Sequence, residues 1–181
     1  MVFQLWHLLA RSAERFPTRT AVSMGERAIT YEALDTLSSR LAATLVDRGV
    51  KRGDRVGIFM KKSPASVVSI FGILKAGAVY VPIDPGSPKS RLAYIIGNCG
   101  IRHLLVGGDR LAPLAEALAE AGADAPASLI VVDDIGTDAV PGVPASSLVR
   151  WAEIESAPVR APSMAGVESD LAYILYTAGS T

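Results

Sequence analysis

The chain has 181 residues, half of them hydrophobic and a fifth charged, and its 18 lysines and arginines balance 18 acidic residues. That length builds one ordinary domain with a sizeable core or a piece of something larger, and the composition argues against long disorder and against electrostatic capture of nucleic acid. One cysteine, Cys99, and two widely separated histidines, His7 and His103, exclude an internal disulfide and a zinc module and fit a reducing cytosol.

The opening, Met1 to Ala10, is apolar but short, has no basic residue ahead of it and runs into Arg11, Glu14 and Arg15, unlike a signal peptide. Export is not expected. Leu5, Leu8, Leu9 and the stretch to Phe16 predict an amphipathic helix stopped by Pro17. Thr20 to Met24, a Gly25-Glu26 turn and Arg27 to Thr30 then read as a small hairpin. Thr30 caps a helix whose Leu34, Leu37, Leu41 and Leu45 recur at three- and four-residue intervals before Gly49. Residues 1–50 form a helix–hairpin–helix lead-in.

Over 51–134 the chain alternates. Arg55 to Met60 is a short apolar run, Ser63-Pro64 opens an apolar helix to Ala76, Gly77 ends it, and Ala78 to Ile83 is a second strand. Ser87-Pro88 opens a helix through Ile96, Arg102 to Val106 is a third strand, Asp109 caps a helix carrying Leu111, Leu114 and Leu118, and Ser128 to Val132 is a fourth strand. The longest apolar stretch, Val67 to Ile83, is broken by Gly72, Lys75, Gly77 and Pro82, so no membrane span is expected. Strands this apolar, alternating with helices, predict a three-layer α/β domain, a mainly parallel sheet with helices on both faces.

Residues 135–169 read as an irregular surface connection holding one short element, Leu148 to Ile154. Residues 170–181 close the pattern with an apolar strand, Asp170 to Tyr176, that feeds into Thr177, Ala178, Gly179, Ser180 and Thr181. Charge is uneven along the chain: residues 1–102 hold 15 basic and 7 acidic side chains, the remainder 3 and 11. The basic ones lack interleaved aromatics, which makes them a solvated surface and not a polyanion site.

The closing pentad carries the chemistry. A strand delivering its carboxyl end into small, hydroxyl-rich residues suits a phosphate cradle, because Gly179 permits a sharp turn, successive N–H groups form an anion nest, and Ser180 and the two threonines donate to phosphate oxygens. It is not the usual P-loop, and five small residues also suit a frayed terminus.

Three segments together resemble the successive signature motifs of the adenylate-forming superfamily, which comprises acyl-CoA synthetases, luciferases and the adenylation domains of nonribosomal peptide synthetases. Ile29-Thr30-Tyr31-Glu32-Ala33-Leu34 resembles the first motif and Leu74 through Asp84, with its Lys75-Ala76-Gly77 and Tyr80-Val81-Pro82-Ile83-Asp84 wording, the second. Leu175 through Thr181 looks like the opening of the third. The second motif leans toward the peptide-synthetase type. The resemblance spans essentially the whole chain and implies the N-terminal portion of the large domain, cut before the rest of the loop, the acyl pocket, the ribose-binding acid and the adenylation lysine.

The resemblance further implies an enzyme that activates a carboxylic acid with Mg-ATP as an acyl-adenylate and passes it to a thiol, of coenzyme A or of the phosphopantetheine on a carrier protein, in the cytoplasm. Thr177 to Thr181 would bind the ATP phosphates, with Ala178 where the family usually has a hydroxyl; no catalytic residue is expected in this stretch, and the metal ligands are unassigned. The competing class is a noncatalytic Rossmann-like binding module. A sheet cut after residue 176 would expose apolar surface that favours a homo-oligomer. Lys75, Gly77, Tyr31 and Leu34 read as structural, with Lys75 facing the negative end of its helix. Lys61 and Lys62 read as a solvated turn, His7 and His103 as lacking acid-base partners, and Cys99 as a core or near-core residue.

Overall fold

The structure, a computed structural model, describes residues 4–133, 140–160 and 166–177. In chain order its elements are α1 (Leu5–Arg15), β1 (Thr20–Met24), β2 (Arg27–Thr30), α2 (Tyr31–Asp47), β3 (Arg55–Phe59), α3 (Pro64–Lys75), β4 (Val79–Pro82), α4 (Lys89–Cys99), β5 (His103–Gly107), α5 (Leu111–Ala121), β6 (Ser128–Val132), β7 (Leu148–Arg150) and α6 (Trp151–Ser156). They fall into two compact units. The first comprises Met1–Asp54, Lys62–Val79 and Ala152–Ala172, and the second Arg55–Lys61, Tyr80–Trp151 and Tyr173–Thr181.

In the first unit local signals act where expected. β1 and β2 pair antiparallel around Gly25, whose φ of 60° suits a residue without a Cβ. The Thr30 hydroxyl accepts from the Ala33 N–H at 3.2 Å and starts α2. Ser63 caps α3 through the Ser66 N–H, Pro64 occupies its first turn, and Gly77 ends it with a φ of 72°. α2 and α3 lie against each other closely enough that a Cβ on Gly72 would sit 2.5 Å from the Leu41 side chain.

The second unit is an open sheet with strand order β4-β3-β5-β6-β7, and β3, β5, β6 and β7 pair in parallel. Its β5 and β6 are buried along their whole length, as strands covered on both faces must be. Leu92, Ile95 and Ile96 of α4 and Leu111, Leu114 and Leu118 of α5 join Phe59, Val81, Leu104 and Val131 in one apolar cluster. α4 stops at Gly100, left-handed at φ 58°. His103 faces its cross-strand partner Ser128, Nδ1 to Oγ 2.7 Å, as a buried and satisfied strand residue.

Four sequence expectations need correction. The short element expected over Leu148 to Ile154 within the connection 135–169 is present, but it is a fifth sheet strand, β7, registered on β6 from Leu129↔Leu148 to Val131↔Arg150 and followed by α6; three residues are too short to show alternation. The buried strand expected over Asp170 to Tyr176 is an extended segment that makes one parallel bridge, Tyr80↔Tyr173, with Leu171, Tyr173 and Leu175 exposed. Asp109 does not cap α5: it lies in a short 3-10 turn, Gly108–Arg110, and its carboxylate binds Lys61 and Arg110. Lys75 stands in the last turn of its helix as expected, but its ammonium binds Asp35 of α2 and the residue is 2% exposed.

Candidate functional site

Of the five residues expected to hold phosphate, Thr177 is described, exposed at the end of the extended segment. Ala178, Gly179, Ser180 and Thr181 lie outside the described residues. The approach to Thr177 is well defined. Residues 171–177 alternate exposed and half-buried, the pattern of a strand with one covered face. The Ile174 N–H donates to the Tyr80 carbonyl at 3.1 Å, and the Tyr173 and Tyr80 rings lie 5.4 Å apart. Ile174 and Tyr176 turn inward and pack on the apolar cluster of the second unit.

Tyr176, immediately before Thr177, is the most constrained side chain of the approach. Its hydroxyl donates to Asn98 Oδ1 at the end of α4 and stands 3.2 Å from Cys99 Sγ, while its ring meets Tyr94 edge-on at 6.3 Å. The adjacent Cys99 sulfur and then burial push the phenol up to about 12. Cys99 is buried, as expected, and Tyr176 is the partner that sequence reasoning missed, since 77 residues separate the two.

Farther back, in the first unit, Arg52 reaches both oxygens of Asp170, 3.1 Å from Nε to Oδ2 and 2.6 Å from Nη2 to Oδ1, and the Val167 N–H donates to the same carboxylate at 2.9 Å. Arg52 and this N–H hold the Asp170 carboxyl below its usual range. Asp170, Gln4, Trp6, Leu74 and Leu171 are among the residues that line a cleft in which Trp6 Nε1 donates to Gln4 Oε1 at 2.8 Å. The segment is thus tethered at its start.

The other motif residues are structural. Lys75 Nζ donates to Asp35 Oδ1 at 2.7 Å, to the Asp35 carbonyl at 2.8 Å and to Ser39 Oγ at 2.9 Å, which uses all three ammonium protons. Burial lowers its pKa, and Asp35 opposes that shift. Leu34 is buried and Tyr31 half-buried on α2. Lys61 pairs with Asp109 at 2.9 Å on the surface. His7 closes a capping box on Gln4 at the start of α1. Among the described residues no group of three His, Cys, Asp or Glu could hold a metal ion, and no helix is long and apolar enough to cross a membrane.

The family description "AMP-binding enzyme" matches residues 9–181. The chain is 35% identical over 181 residues to syringomycin synthase SyrB1 of Pseudomonas syringae pv. syringae, covering 98% of this chain and 25% of that protein. It is 36% identical over 174 residues to tyrocidine synthase 3 of Brevibacillus parabrevis, covering 96% and 2% respectively. Among solved structures, the AMPPNP-bound nonribosomal peptide synthetase FmoA3 superposes with a TM-score of 0.73 at 26% identity, over 97% of this chain and 16% of that one. Coronafacic acid ligase of Pectobacterium brasiliense has the same fold, TM-score 0.81 at 20% identity, over 96% and 33%. The chain therefore spans a third or less of each of these proteins. The fold is the α/β fold, with its mainly parallel sheet, of adenylate-forming enzymes, and by its matched residues the chain belongs to the AMP-binding enzyme family.

Proposed function

We propose that the chain is part of an ATP-dependent, AMP-forming ligase that activates a carboxylic acid as its acyl-adenylate, releasing pyrophosphate, and then transfers the acyl group to a thiol. The observation that carries this reading is the tethered segment 170–177, which is fastened at Asp170, Tyr173 and Tyr176 and leads into the hydroxyl- and glycine-containing stretch Thr177–Thr181. A stretch with backbone N–H groups and three hydroxyls suits the charge of a triphosphate, and fastening the strand before it pre-organises those donors. Thr177, Ala178, Gly179, Ser180 and Thr181 hold the β- and γ-phosphates; Ala178 contributes its N–H alone. Mg2+ enters with ATP as the substrate complex and offsets charge on the departing pyrophosphate.

The acid is an amino acid and the acceptor the phosphopantetheine thiol of a carrier protein, in preference to coenzyme A. Identity of 35 and 36% to the two synthases supports that choice. The test is amino-acid-dependent exchange of labelled pyrophosphate into ATP by the full-length protein, run over the proteinogenic amino acids and a set of simple carboxylic acids. Exchange driven by one or a few amino acids supports the proposal; exchange driven only by simple carboxylic acids moves the chain to the coenzyme A group, and no exchange with any acid removes the reading. The 181 residues alone give no exchange, because a third or less of the length of related proteins leaves too few groups to position ATP and acid together.

A further inference from the structure

We propose that the last turn of α4 is a positioning platform for the phosphate-binding stretch, and that Tyr176 is the positioning residue through which Asn98 and Cys99 set where Thr177 begins. The inference rests on the phosphate-binding reading of Thr177–Thr181 and deepens it.

The platform is rigid for reasons that precede any role in binding. α4 ends on Gly100, whose left-handed conformation closes the turn, and the Gly100 and Ile101 N–H groups return to the carbonyls of Gly97 and Ile96. Arg55, at the start of β3, donates from Nε to the Cys99 carbonyl at 2.8 Å, fixing the helix end to the central sheet. Ile95 and Ile96 are buried beneath it. Asn98 therefore presents its side-chain oxygen from a backbone that cannot drift, and the neighbouring Cys99 presents its thiol.

Tyr176 uses both. Its O–H donates to Asn98 Oδ1, the Cys99 sulfur lies 3.2 Å from the phenol oxygen, where either atom can donate, and the ring is held edge-on by Tyr94. A half-buried tyrosine ring packed on an apolar cluster needs no hydrogen-bonded hydroxyl to keep that contact, since phenylalanine fills nearly the same volume. What the hydroxyl adds is position along the strand. Among the described residues the extended segment makes one backbone bridge, at Tyr173, and the phenol supplies a second fixed point one residue before Thr177.

The experiment measures binding of Mg-AMPPNP and of AMP to the full-length protein by titration calorimetry, alongside thermal melts. AMP lacks the phosphates assigned to the stretch, so it reports the rest of the nucleotide site. Tyr176→Phe raises the Kd for AMPPNP about fivefold, as loss of one hydrogen bond does, leaves the Kd for AMP within twofold and lowers Tm by only a few degrees. Asn98→Leu does the same, the double variant is no worse than either single, and Asn98→Asp, which keeps an acceptor oxygen, binds AMPPNP like the parent. Equal weakening of AMPPNP and AMP, or a lowered Tm with AMPPNP binding intact, overturns the proposal, because both outcomes describe a packing residue. Ser180→Ala/Thr181→Ala separates the two levels: if that variant binds AMPPNP normally, the phosphate reading fails and the platform with it, whereas if it loses AMPPNP while Tyr176→Phe does not, the platform alone fails.

Discussion

Two stretches that resemble family motifs are built in opposite ways. From Leu74 to Ile83 nearly every side chain is consumed by packing: Ala76, Ala78, Val79, Val81 and Ile83 are buried, and even Lys75 spends its three donors inside the protein. From Leu171 to Thr177 alternate residues stand open, Leu171 at 67%, Tyr173 at 49% and Leu175 at 60% exposure. A motif whose side chains are nearly all buried has stability as its use. A motif whose hydroxyls lie at the end of a tethered, half-open strand has donors to offer a ligand. Substitutions in the first stretch should therefore change melting and leave nucleotide kinetics alone, and substitutions in the second should do the reverse.

The sharpest test lies in the second stretch. On the proposed phosphate-binding reading, replacing both Ser180 and Thr181 by alanine removes two hydrogen bonds to ionised phosphate, each worth roughly 1.5–3 kcal/mol. The expected result in the full-length protein is a fall of at least a hundredfold in kcat/KM for ATP with Tm nearly unchanged. Hydroxyls that merely tie down their own backbone give the opposite result, near-normal ATP turnover and a clearly lowered Tm, and that outcome would erase the contrast.

Much of the contrast was legible in the sequence, for local reasons. The Gly25-Glu26 turn, the Thr30 and Ser63 caps, Gly77 and the β6 boundaries follow from residues within a few positions of one another. What was not legible depends on partners far along the chain. Lys75 at a helix end suggests solvent and dipole, and only Asp35 and Ser39, 40 and 36 residues earlier, make it a buried cation. β7 is a strand because β6 is there to pair with it, and Tyr176 acquires its role from Asn98 and Cys99. For the site, the approach as far as Thr177 can be compared with the sequence reading, and the residues from 178 to 181 fall outside the described part.

In the first stretch the largest effect belongs to the Lys75 pin. Asp35→Ala leaves a buried ammonium short of its counter-ion and costs about 2–3 kcal/mol, whereas Lys75→Met removes the charge that needs a partner and costs under about 1.5 kcal/mol. Both variants should bind AMPPNP like the parent. The pH dependence has a definite sign. Burial lowers the folded pKa below its ordinary 10.5, so between the two values the unfolded chain binds more protons and stability rises with pH. Denaturant melts of the parent against Lys75→Met in the alkaline range should show that rise in the parent and lose it in the variant; a stability that falls through the same window would mean that Lys75 is not desolvated.

A smaller effect is expected at Gly72. A Cβ there would meet Leu41 Cδ2 at 2.5 Å, Cγ at 2.7 Å and Cβ at 3.0 Å, so the leucine cannot escape by turning its tip alone. Gly72→Ala gains about 1 kcal/mol of helix propensity against roughly 1–3 kcal/mol of crowding. A net loss near 1 kcal/mol is expected, relieved when Leu41→Ala is added. If Gly72→Ala is stabilising, the two helices are not in the close contact that makes the first stretch a packing motif.

The smallest effect is expected at Asp109, where the corrected reading can be checked directly. Arg110 and then Lys61 hold its carboxyl below the usual value, yet both pairs sit on the surface, at 2.9 Å each. Exposed pairs contribute roughly 0–1 kcal/mol and are screened by salt. The carboxylate's contribution is present above its unfolded pKa and is lost as pH falls through the lowered folded value. An N-cap behaves differently: substitution by alanine costs about 0.5–2 kcal/mol, much of it independent of salt, and asparagine substitutes well because it too accepts from the helix N–H groups. Asp109→Ala and Asp109→Asn should therefore cost about the same, under about 0.5 kcal/mol, and the difference from the parent should vanish in 1 M sodium chloride. If Asn preserves stability while Ala loses 1 kcal/mol or more at high salt, Asp109 caps α5 after all, and the start of that helix is set by the local sequence instead of by the ion pairs around the 3-10 turn.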